Sequence, residues 1–167
     1  MILGVEMKNK NKHDVLNDIF IVLTASLSLE SKANILSQCF LWAWSEWDGK
    51  YYGCKYFSEK ALEQLIHKKN VKDLRHEHVI PRKELIKLLL ELPQQEITIE
   101  YLENFFNEWV IAAVITKEED KLLPIKDMPA NFYKEKNIWG RYQNKNIKIY
   151  EIAWVKKNII EKKEIRL

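Results

Sequence analysis

Apolar residues recur at helical spacing over most of the chain and at strand spacing over a few short stretches. Between His13 and Leu29, residues Val15, Leu16, Ile19, Phe20, Val22 and Leu23 follow the period of an amphipathic helix. Ser28 or Ser31 offers a capping hydroxyl for a second helix, from about Lys32 to Trp47. Its stripe is Ala33, Leu36, Phe40, Trp44 and Trp47, and Asp48-Gly49 ends it. Tyr51–Phe57 reads as a short aromatic, extended segment. Ser58 then caps a third helix carrying Ala61, Leu62, Leu65 and Ile66, to about Lys69. Pro81 suits a first helical turn, and Leu85, Ile86, Leu88, Leu89, Leu90 and Leu92 form an apolar helix that Pro93 closes. Thr98 caps Ile99–Trp109, and Thr116 caps a short helix, Lys117–Leu123, closed by Pro124.

Strand signals are fewer. Leu74–Ile80 is β-capable and stops at Pro81. Val110–Ile115 is an unbroken apolar run, and Asn146–Val155 alternates Ile147, Ile149, Ala153 and Val155. Residues 1–12 read as a flexible start, 125–137 as irregular, and the charged tail 156–167 fits strand or helix. The pattern predicts an α+β chain: one mainly helical domain over 1–167 with a small antiparallel β-sheet.

Composition narrows the function classes. The 167 residues are 47% apolar, with 27 Lys plus Arg against 24 Asp plus Glu, a net charge of +3. That is too apolar for a disordered chain and too weakly basic to coat nucleic acid by charge alone. Four Gly and four Pro argue against a turn-dense β-sandwich. Cys39 and Cys54 form no CxxC pair, which excludes a zinc knuckle and reads as two reduced thiols. No signal peptide and no apolar run of roughly 18 residues is present, so the expectation is a cytoplasmic protein with no membrane partner.

Ionisable residues crowd one segment, Arg75-His76-Glu77-His78, followed by Val79-Ile80-Pro81-Arg82. Histidine titrates near neutral pH and can act as a base, while a carboxylate beside it can hold a divalent cation. In a regular strand, consecutive residues point to opposite faces, so Glu77 and His78 can share a site only where the backbone leaves the pleat. The segments Glu77-His78-Val79-Ile80-Pro81 and Val110–Asp120 (VIAAVITKEED) together resemble the HNH, or ββα-metal, endonuclease superfamily. The resemblance implies a split ββα-metal-like motif, with residues 81–109 as a helical insertion of about thirty residues. It implies His78 as general base and Glu77 and Asp120 as ligands of Mg²⁺ or Mn²⁺, with Glu119 a fallback ligand. The activity implied is phosphodiester hydrolysis of nucleic acid, DNA ahead of RNA, as in restriction, toxin or phage-defence systems. The family's second helix ligand would fall on Pro124, which cannot bind metal.

Other strings extend this expectation. Arg75 and Arg141 are candidates for charge stabilisation at the phosphate, Arg141 within Trp139-Gly140-Arg141-Tyr142. Arg82, Lys83, Lys72 and Trp139 are candidates for nucleic-acid contact, and Trp42, off the aromatic stripe, for a partner surface. A protein partner or a homodimer is compatible with the same features. Two alternatives stand beside the nuclease. One is a non-catalytic phage or mobile-element interaction protein in which His76, Glu77 and His78 are a core cluster. The other is a metal-independent RNase-type toxin that uses His76 and His78, on one strand face, as an acid–base pair.

Overall fold

The computed structural model describes residues 11–68, 70–125 and 127–167. Its architecture is α+β, and the chain divides into two compact units, one formed by residues up to Ser45 with Arg82–Ile111, the other by Glu46–Pro81 with Ala112–Leu167.

The first unit is helical. Helix α1 (Lys12–Thr24) starts at Asn11, whose side chain accepts the Asp14 amide, and buries Val15, Leu16, Ile19 and Leu23. It ends at Thr24, short of Leu29, because Ser28 restarts the chain by accepting the Ser31 amide. Helix α2 (Leu29–Ile35) runs into a π-helical segment, Leu36–Leu41, and then α3 (Trp42–Ser45). Of the expected stripe Leu36, Phe40 and Trp44 are buried, the wider π turn brings Leu41 in beside them, and Ala33 and Trp47 are only half-buried. Helices α5 (Arg82–Leu90) and α6 (Ile99–Trp109) belong to this unit, α6 packing on α1 and α5 on the π segment. Trp44 meets Phe106 edge-on at 5.2 Å.

The second unit is built on a five-stranded sheet in the order β2-β3-β1-β4-β5: β1 Tyr56–Ser58, β2 Leu74–His78, β3 Ala112–Thr116, β4 Ile149–Val155 and β5 Asn158–Ile165. The pair that the ββα resemblance implies, β2 with β3, is antiparallel, Leu74 opposite Thr116 and His78 opposite Ala112. The sheet as a whole is mixed, not antiparallel as expected, because the three-residue β1 inserts between β3 and β4 and runs parallel to β3. Helix α4 (Glu59–Lys68) covers one face, where Phe57, Ala61, Leu62, Leu65, Leu74, Val114 and Ile152 form a core. After β3 the helix is a single turn, α7 (Lys117–Asp120), shorter than expected. A short helix, α8 (Asn131–Glu135), stands within the stretch 125–137 that read as irregular, and a further helical turn, α9 (Gly140–Gln143), follows it. Of the expected alternation Ile147 and Ile149 are buried and Val155 is exposed, while Tyr150 and Ile152 of β4 join the core on the α4 side. The tail is strand, ending in β5. No helix among the described residues is long and apolar enough to cross a membrane.

Cys39 and Cys54 are both free thiols. Cys54 lies in the sheet core, and burial pushes its thiol up from 9.0 to about 11. The folded state thus holds the neutral thiol over a range in which the unfolded chain ionises it. The stabilisation is complete below about pH 9 and is lost as pH rises towards 11. Urea unfolding of wild type and Cys54→Ala across this range should show wild type losing stability more steeply, by up to about 1.4 kcal/mol per pH unit. Parallel profiles would contradict this assignment.

Candidate functional site

The geometry of the His76-Glu77-His78 segment follows from β2 being regular through His78. Its residues alternate, so Leu74, His76 and His78 lie on the α4 face of the sheet and Arg75 and Glu77 on the other. Both histidines are buried, at 5% and 3% exposure. His76 Nδ1 lies 3.9 Å from Glu46 Oε1. Glu77 and His78 are thus separated by the thickness of the sheet.

On the Glu77 face the central group is Arg141, which is 1% exposed. Its Nη1 donates to the backbone oxygens of His78 (3.1 Å) and Val79 (3.3 Å). Its Nη2 donates to Glu77 Oε1 (3.1 Å) and to the Pro124 carbonyl (2.6 Å). One guanidinium therefore ties the end of β2 to the segment that follows α7. The neighbouring Gly140 packs closely on Pro129, whose Cγ a Cβ there would meet at 2.6 Å. Trp139 is half-buried and packs edge-on against Tyr56 at 5.1 Å and Tyr142 at 5.4 Å. The Tyr142 hydroxyl is fully buried, and burial with the nearby Glu77 carboxylate pushes its pKa well above the ordinary value.

Asp120 lies on the same side, in α7, with Oδ2 at 4.0 Å from Arg75 Nε. Arg75 and Asp120 are half-exposed, so this pair is screened and contributes little. Glu119 is buried and accepts through Oε2 from Thr116 N (2.9 Å), Thr116 Oγ1 (3.1 Å) and Ser58 Oγ (2.6 Å). With the Glu119 amide bonded to Thr116 Oγ1, this is a capping box. Sequence reading identified the Thr116 cap but not the carboxylate that closes it, although the Thr-x-x-Glu spacing is its signal.

The donor set does not fit a resident divalent ion. Glu77 is bonded to one guanidinium, Asp120 faces another, Glu119 is spent on the cap, and His78 is across the sheet. Among the described residues, no three His, Cys, Asp or Glu side chains gather into a metal-binding group.

The remaining candidates are dispersed. In the helical unit Arg82 donates to Ser37 Oγ at 3.2 Å and covers the Trp42 ring at 4.9 Å, while Lys83 is exposed. In the sheet unit Lys72 is exposed, beside Asn70. Compared with protein-family models, curated proteins and solved structures, the chain matches none.

The buried Arg141–Glu77 pair makes a stability prediction. Arg141→Met removes four charge-assisted hydrogen bonds, one to the half-buried Glu77 carboxylate and three to backbone oxygens, and should cost about 3–5 kcal/mol in urea unfolding. Arg141→Lys should recover little of this, because an ammonium cannot reproduce the planar fork. Wild-type stability in either variant would show that the clamp carries no structural weight.

Proposed function

We propose that this chain is a non-catalytic binding protein in which the His76-Glu77-His78 segment braces the sheet. The observation that carries this reading is Arg141: a guanidinium buried with all four of its contacts inside the fold organises Glu77 and the end of β2. Both histidines are buried on the opposite face, which removes them from a substrate and weighs equally against an imidazole acid–base pair. The class of protein this suits is one that acts by contact, such as a phage or mobile-element protein that engages an enzyme or a nucleic acid.

A second reading keeps the metal-dependent endonuclease. Its support is the antiparallel β2–β3 pair followed by a Thr116-capped turn, with Glu77, Asp120, Arg75 and Arg141 on one side, in the order the HNH resemblance implies. For it to operate, Glu77 would have to leave Arg141 and His78 would have to emerge from the core.

Plasmid DNA and a structured RNA incubated with the protein separate the two readings, with Mg²⁺, with Mn²⁺ and with EDTA. The binding reading expects no cleavage above buffer in any of these, and expects His76→Ala and His78→Ala to lower stability by roughly 1–3 kcal/mol as losses from a packed interior. Divalent-ion-dependent cleavage that disappears in a folded His78→Ala protein would overturn it in favour of the nuclease. Cleavage that persists in EDTA would point to the toxin chemistry.

A further inference from the structure

The β4–β5 hairpin turns on two residues, Lys156 and Lys157, between the paired Val155 and Asn158. Both lysines have positive φ, 47° and 68°. A two-residue hairpin turn of this kind favours Asn-Gly, since the left-handed region is unstrained only for residues that tolerate it. Two consecutive lysines are a poor choice for the fold, and backbone strain retained in this way marks positions selected for something other than stability.

The strained turn stands at a groove. It encloses about 360 Å³ and is lined by Tyr52, Leu62, Ile66, Trp154, Lys157 and Lys162 among others. Its floor is apolar, and Ile66 and Tyr52 are 49% and 38% exposed. The charged groups lining it are both lysines, with no carboxylate among them. Alongside runs β5, the edge of the sheet, which among the described residues pairs with β4 alone. An eight-residue edge whose outer row of backbone donors and acceptors pairs with no strand among the described residues accepts an added strand, and an adjacent groove reads that strand's side chains.

We propose that this edge and groove form a docking surface for an extended acidic–apolar peptide segment of a partner protein. An apolar side chain enters between α4 and the hairpin, and neighbouring carboxylates meet Lys157 and Lys162. The proposal rests on the binding-protein reading above. Single-stranded nucleic acid is the weaker fit. Base stacking needs open ring faces, yet the Lys157 ammonium already lies over the Tyr52 ring at 5.9 Å, and Tyr52 and Trp154 meet edge-on at 72°.

The test uses the full chain and three fluorescent probes: a nine-residue peptide alternating Val or Phe with Asp, its counterpart with Lys in place of Asp, and a thymidine oligonucleotide. Fluorescence anisotropy should show saturable binding of the acidic peptide, weakened by salt, with binding of the basic peptide at least about tenfold weaker. Hydrogen exchange with the acidic peptide bound should protect β5. Lys156→Asn/Lys157→Gly should raise the melting temperature by relieving the turn and yet weaken the acidic peptide about tenfold. Lys162→Gln should weaken it with the fold unchanged. Equal binding of both peptides, an unaffected affinity in the turn variant, or no peptide binding would overturn the proposal. Lysine-dependent binding of the oligonucleotide alone would reassign the groove to nucleic acid. Nuclease activity, read separately, would overturn the binding-protein reading without touching these lysines.

Discussion

The sheet unit depends on one buried cation. A guanidinium removed from water must find its hydrogen bonds within the fold, and Arg141 finds them on two separate stretches of chain, the end of β2 and the loop after α7. The bonds to His78, Val79 and Pro124 go to backbone oxygens, which any sequence would present; the bond to Glu77 balances the charge. Gly140 packs closely on Pro129 and the Trp139 ring on Tyr56 and Tyr142, so the Trp-Gly-Arg-Tyr string acts as a single packing device. A second tie of the same kind joins the Ser58 hydroxyl to the Glu119 carboxylate, where the start of α4 meets the α7 cap.

The two-residue period of a strand decides what His76-Glu77-His78 can do. A row of three ionisable residues looks dense when written as letters, and the pleat then deals them to opposite faces. The histidines join the side that α4 covers, and the acid joins the arginine side. Chemistry that needs Glu77 and His78 together requires a break in the strand at His78, whereas β2 pairs regularly through that residue, opposite Ala112. The face that does collect ions holds two acids and two arginines, Glu77 and Asp120 with Arg141 and Arg75, so its charges largely cancel.

At the far end of the sheet the β5 edge carries both charge signs, Glu161-Lys162-Lys163-Glu164, and its ladder to β4 is irregular at Ala153/Trp154. Both features restrain indiscriminate edge pairing. An edge protected in this manner disfavours indiscriminate pairing, as the proposed docking surface requires.

Local signals in the sequence were sufficient for most elements. Helix α6 runs from Ile99 to Trp109 as its period and Thr98 cap require, and the β2 and β3 segments were legible as strands from their apolar texture and from Pro81. These features are set by neighbours within a few residues, which is all that periodicity and capping sense. Contacts between residues distant in sequence were beyond that reach. The insertion of the short β1 beside β3, the extra π-helical residue that brings Leu41 inward, and the closure of Arg141 on Glu77 across 64 residues are each decided by packing. The candidate site shows the same division. The chain alone fixed which ionisable residues stand together in sequence, and the pleat, with the clamp that holds it, decided which of them stand together in space.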